Sequence, residues 1–83
     1  DRVVAPESVY DEALTLAATL ATGPALALRA AENAINRGLE VDRNTGLEIE
    51  RMEFAQLFAT NDQKTGMDSF VANGPGKATF EGR

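Results

Sequence analysis

The sequence predicts an all-α chain of four helices with short loops and an irregular C-terminal tail. Three observations carry that expectation. Apolar residues recur at helical spacing in successive segments. Helix punctuation stands between them, at Pro6, at Gly23-Pro24, at Gly38 and in the run Asn73-Gly74-Pro75-Gly76. Residues 44–59 form the most informative helix: Leu47, Phe54 and Phe58 project on one side, and Ile49, Met52 and Ala59 on another. A helix with two apolar sides needs cover on both, while Glu48, Glu50, Arg51 and Glu53 leave through the gaps between. A chain of 83 residues is poorly equipped to provide two covers, because a domain of about 60 residues buries only about 60% of the surface its unfolded chain exposes. The third helix is therefore expected to meet a surface outside this sequence.

Val3 and Val4 favour extended structure at the start, and the opening Asp-Arg-Val-Val, without a methionine, reads as the continuation of a longer chain. Pro6 suits a first helical position, and Glu7, Asp11 and Glu12 place negative charge at the positive end of the helix dipole. Over residues 8–22, Val9, Ala13, Leu16, Ala17 and Leu20 share a face, and the many alanines suit close helix approach. Gly23 fits a left-handed cap and Pro24 the first turn of the next helix. The second helix, residues 25–37, carries Leu28, Ala31 and Ile35 on one face, with Arg37 at its C-terminal end, Gly38 as a left-handed cap and Leu39 folding back. Asp42 caps the third helix, although Gly46 near its start costs on the order of 1 kcal/mol relative to alanine. Thr60 and Gln63 have capping-box spacing, so a new axis begins there and runs through Gly66, Met67, Phe70 and Val71. Residues 73–76 end it, leaving a tail with Phe80 as its only large apolar anchor.

Composition excludes several chemistries. Cysteine and histidine are both absent, which removes disulfides, thiolate catalysis, the usual structural zinc sites and any Ser-His or Cys-His relay. The net charge of −5 argues against nucleic acid, whose binding needs a basic face. No apolar run is long enough to span a membrane and no secretion signal is evident, so the expected location is the cytosol. Glu50 and Glu53 offer two carboxylates on one turn, but a bundle di-metal site also needs histidine. They are expected to be solvated or ion-paired, with Glu48 and Arg51 spaced to interact. Asp68-Ser69-Phe70 is similar to the Asp-Ser-Leu of acyl carrier proteins, yet there the serine opens an internal helix, whereas Ser69 falls inside the last one. The glycines of residues 74–83 lack the spacing of a phosphate-binding loop. The plain expectation for this tail is a flexible terminus; the functional one is that Lys77 offers a point charge to a phosphate while Phe70 or Phe80 offers a face to a base.

Taken in order, DRVVAPESVYDEAL, GPALALRAAENAINRGLEVD and GLEIERMEFAQLFATNDQKTGMDSFV closely resemble the C-terminal region of the enoyl-CoA hydratase/isomerase, or crotonase, family, and residues 50–70 are the most specific part. The resemblance covers nearly the whole chain. It implies that residues 1–83 are the helical oligomerisation region of a larger enzyme acting on an acyl-CoA thioester, with no cofactor. Its missing N-terminal spiral domain would hold the oxyanion-hole N–H groups and the acid/base carboxylates. No catalytic residue is then expected in this chain. Relatives pack such regions into trimers or hexamers, and set an aromatic and a basic residue of the last helix against the CoA adenine and its phosphate. The aromatic corresponds to Phe70. Where a lysine is common three residues later this sequence has Asn73, so the phosphate contact would pass to Lys77. Glu32 likewise stands where many relatives have lysine. The alternative is a free-standing acidic helical interaction module without catalytic activity, using the same apolar faces to dock a partner.

Overall fold

A computed structural model describes residues 2–83. Its order is α1 (Val9–Ala21), α2 (Ala25–Gly38), α3 (Arg43–Gln56) and α4 (Asn61–Asn73), with 3₁₀ turns at Pro6–Ser8 and Leu57–Ala59. There is no strand among the described residues, and Val3 and Val4 lie in irregular chain ahead of Pro6. The four expected helices are all present, each within a residue or two of its expected ends except α3. That helix gives way to the 3₁₀ turn at Leu57 before the chain reaches the break expected at Thr60.

Pro6 opens the first 3₁₀ turn, where its missing N–H is not needed. Every residue of α1 is exposed, so its alanines do not serve helix approach as expected. The Thr22 hydroxyl donates to Thr19 O at 2.7 Å and Gly23 N to Leu20 O at 3.1 Å, satisfying carbonyls that the helix end leaves free. Gly23 is not left-handed; positive φ among the described glycines belongs to Gly74, Gly76 and Gly82. A methyl group at Gly23 would come within 3.1 Å of Leu28 Cδ1 and 3.3 Å of Leu20 O, so it is the tight packing of the turn that favours glycine here. The chain leaves this turn with α2 bent 106° from α1.

Helices α2 and α3 form an antiparallel hairpin, and this is where small residues matter. Gly38 lies at the end of α2 in right-handed geometry and faces Gly46 of α3, where a Cβ would sit 3.5 Å from Gly38 Cα. The glycine at 46, costly as a helix former, thus permits close approach of the two backbones. Ala30 and Ile49 are buried between the helices, and further along the Asn33 amide donates to the Glu53 carboxylate. Leu39 does not fold back as expected; it is 82% exposed. Asp42 caps α3: Oδ2 accepts from Thr45 N at 3.1 Å and Oδ1 from the Thr45 hydroxyl at 2.5 Å. These bonds, the Thr45 hydroxyl foremost, hold the Asp42 carboxyl below its ordinary value of 3.8.

The two sides of α3 meet different surroundings. Ile49 is covered by α2, whereas Phe54 and Phe58 stack edge to face at 5.3 Å on the open side and stay more than half exposed, as does Met52. At Thr60 the backbone turns extended, and Thr60 Oγ1 accepts from Gln63 N at 3.1 Å while donating to Leu57 O at 2.6 Å. The capping box expected at Thr60 is half formed, through the hydroxyl bond to Gln63 N. The result is an open assembly. The Cα radius of gyration is 15.9 Å, against about 12 Å for a compact domain of this length. The accessible surface is 6781 Å², about 2,000 Å² more than a compact monomer of this size exposes. A single fully buried Ile contributes about 1.5–3 kcal/mol, while ordering one backbone residue costs about 1–2 kcal/mol. The internal contacts are few for such a chain.

Two outcomes are expected from unfolding experiments. Gly38→Ala should change stability by less than about 1 kcal/mol, because its φ is right-handed and the nearest atom to the new methyl is Gly46 Cα at 4.0 Å. Gly74→Ala should cost about 1 kcal/mol or more, since Gly74 sits at φ +82°. The Asp42 cap carries a pH dependence. Its folded-state value is lowered, so its contribution is fully present above the unfolded value of 3.8 and is lost as pH falls through the folded value. The difference in urea midpoint between the parent chain and Asp42→Ala should therefore shrink on acidification below 3.8.

Candidate functional site

The tail is not a loose terminus. Gly74, at φ +82°, ends α4 with its N–H donating to Phe70 O at 2.9 Å, and Gly76 at φ +75° completes the reversal. Left-handed geometry of this kind is open to glycine at no steric cost. The chain then runs back along α4, and Phe80 lies over Gly66, where an added Cβ would meet the ring at 3.2 Å. Beyond Phe80 it is held by Asp62. Asp62 Oδ1 accepts from Glu81 N at 2.9 Å and Oδ2 from Gly82 N at 2.8 Å, while Asp62 N donates to Arg83 O at 2.8 Å. Asp62 is 3% exposed, and a buried carboxylate is strongly unfavourable unless its oxygens are satisfied. Hydrogen bonds to a charged group contribute about 1.5–3 kcal/mol each, so this pair is strong enough to hold a short tail.

Folding the tail back creates a groove of about 230 Å³. Thr22 and Gly23 of the α1–α2 turn form one wall, Ser69 and Phe70 of α4 another, and Lys77 and Phe80 of the tail the third. Phe70 and Lys77, seven positions apart in sequence, are thus brought to the same groove. Phe70 keeps more than half of its surface open. Asn73 does not line the groove, and Phe80, which does, has its ring against Gly66. Ser69 lies within α4 and not at a helix start, which is the placement that sets it apart from a carrier-protein serine.

The remaining carboxylate expectations divide. Arg51 Nη1 lies 3.4 Å from Glu48 Oε2, as the spacing predicts. Glu53 is neither solvated nor ion-paired: it is half-buried and accepts from Asn33. Glu50 lines a larger groove of about 560 Å³ between α2 and α3, together with Ile35, Leu39 and Leu47. Another groove, of about 260 Å³, lies between Pro24, Phe54, Phe58 and Met67. No helix among the described residues is long and apolar enough to cross a membrane. Sequence reasoning missed Asp62. Its signal was a carboxylate in the first turn of α4 and a tail whose backbone N–H groups have no helix or strand to join.

A sequence profile described as enoyl-CoA hydratase/isomerase matches residues 1–83. The chain belongs to the enoyl-CoA hydratase/isomerase family. A probable enoyl-CoA hydratase of Rhizobium meliloti (strain 1021) is 46% identical over 82 residues, which cover 99% of this chain and 31% of that protein. A short-chain-enoyl-CoA hydratase of Clostridioides difficile is 41% identical over 70 residues, or 84% of this chain and 45% of that one. Among solved structures, an enoyl-CoA hydratase subunit I from Geobacillus kaustophilus HTA426 superposes with a TM-score of 0.92 at 39% identity, over 99% of this chain and 31% of that chain. The chain therefore spans less than half the length of these relatives. Its helices, including the outlying α1, have the arrangement found in part of a crotonase-type fold.

The groove geometry makes Gly66 a sensitive position. Gly66→Ala should place a methyl group 3.2 Å from Phe80 Cε1 and push the ring outward. The expected signature is a change in the Phe80 ring-proton shifts by NMR with helix content undiminished, because alanine is a better helix former than glycine.

Proposed function

We propose that this chain is the C-terminal helical region of an enoyl-CoA hydratase of the cytosol. That enzyme adds water across the double bond of a 2-trans-enoyl-CoA, placing hydroxyl on C3 and hydrogen on C2 of the acyl thioester. The observation that carries the reading is the superposition at TM-score 0.92 over 99% of this chain but only 31% of a solved enoyl-CoA hydratase subunit. The excess exposed surface supports it, since about 2,000 Å² beyond a compact monomer is the scale of an obligate interface. In this reading the open sides of α1 and α3 meet the rest of the enzyme and a neighbouring subunit, within a trimer or hexamer. Phe70 and Lys77 form part of the coenzyme A rim, the ring against adenine and the ammonium against a phosphate. The oxyanion hole and the proton-transferring carboxylates lie outside these residues, so the region contributes binding and assembly and no chemical step.

The isolated 83 residues should then fail to hydrate crotonyl-CoA and should self-associate in light scattering, because a large apolar surface is left uncovered. Measurable hydration, or a monodisperse monomer at high concentration, would contradict the proposal. An antibody against residues 44–70 should detect a native protein far heavier than this chain. A band at the mass of the 83 residues would favour the free-standing interaction module instead.

A further inference from the structure

We propose that Asp62 is a positioning residue for the coenzyme A rim: it closes the tail into a loop and so fixes Lys77 opposite Phe70, without itself touching the ligand. This deepens the rim assignment made above and rests on it.

Asp62 is the most buried side chain among the described residues, at 3% exposure, and its ion pairing is not what keeps it there. The ion pairs among the described residues are Arg2–Glu12, Arg51–Glu48 and Arg83–Glu81. Its carboxylate is spent on backbone: Glu81 N and Gly82 N at 2.9 and 2.8 Å, with Asp62 N returning a bond to Arg83 O at 2.8 Å. Three bonds from one residue tie positions 81–83 to the first turn of α4. The other end of the tail is tied to the last turn of the same helix, through Gly74 N and Phe70 O at 2.9 Å. Lys77 lies between the two ties, in a segment free of other backbone bonds, with Gly74 and Gly76 at positive φ. A glycine-bearing segment held at one end explores many conformations, and closing it at the second end removes most of them. A cation on a closed loop is preorganised for an anion; one on an open loop must be ordered when the anion binds.

This makes an unusual prediction of sign. Removing a carboxylate from the neighbourhood of a phosphate site should strengthen anion binding if charge alone mattered. Loss of the clamp should weaken it, by about three- to tenfold, the ordering cost of roughly one flexible side chain.

The test is a double-mutant cycle on coenzyme A binding to the full protein, read by calorimetry, with amide hydrogen exchange at Glu81 and Gly82 as the structural readout. Lys77→Ala should weaken binding about tenfold. Asp62→Ala should weaken it three- to tenfold and expose both amides to exchange, and deletion of residues 81–83 should separately weaken it three- to tenfold. The pair Asp62→Ala and Lys77→Ala should bind no worse than Lys77→Ala alone, because Asp62 acts through Lys77. If Lys77→Ala weakens binding but Asp62→Ala leaves it unchanged, tightens it, or adds its full effect in the Lys77→Ala background, the positioning role is wrong and the rim reading stands. If coenzyme A does not bind, or binds equally well after Lys77→Ala, the rim reading itself is wrong and the positioning role falls with it.

Discussion

The close crossing of α2 and α3 at Gly38 and Gly46 is the principal helix–helix contact of the structure. With Cβ positions 3.5–4.0 Å from the opposing backbone, these residues let the helices approach closely, with Ala30 and Ile49 buried and Asn33 bonded to Glu53. The hairpin also sets the outward faces. Phe54 and Phe58 border a groove with Pro24 and Ala27 at the start of α2 and remain more than half exposed. The Thr60 break then starts a new axis for α4 just beyond those aromatics. A side chain at 46 longer than a methyl group would have to share this space with Gly38 and Val41.

Openness is the second physical fact about the molecule. Helix α1 projects from the hairpin with no buried residue of its own, and α3 leaves an aromatic pair in the open. Such an arrangement removes little apolar area from solvent for a chain of this length, and so leaves little to set against the ordering of its backbone. The same arrangement superposes closely on part of a much longer solved chain. Helices that look unsupported in 83 residues are thus in positions that a larger protein uses.

The tail shows how a segment without secondary structure becomes ordered. Its backbone N–H groups have no ladder, so a buried side chain supplies the acceptors. Asp62 serves this purpose because its carboxylate has two oxygens placed at the start of α4, where its own N–H is also free of an intrahelical partner. The bonds at 2.8–2.9 Å are direct and satisfy both oxygens. Phe80 over Gly66 adds the apolar contact that the sequence leads one to expect of the only large apolar side chain in the tail.

Local punctuation was legible from residues alone. Asp42 and Thr60 were readable as caps because capping depends on a side chain and an N–H three positions away, and Gly74 as a stop because glycine tolerates positive φ. Gly23 and Gly38 were misread for the same reason in reverse: glycine serves both left-handed geometry and close approach, and only the neighbouring chain tells which. Residue spacing leads one to expect Glu53 solvated or ion-paired, since its actual partner Asn33 lies twenty positions away. The family was legible in residues 50–70, and with it the expectation that Phe70 and Lys77 belong together. Thus the sequence by itself determined the helices, the Asp42 and Thr60 caps and the family, all of which follow from short-range spacing or from residue identity. Which face of α3 found its cover inside the chain, and that the tail would fold back with Lys77 in the groove that Phe70 lines and its end bonded to Asp62, were decided only by the tertiary structure, because both depend on contacts between residues far apart along the chain.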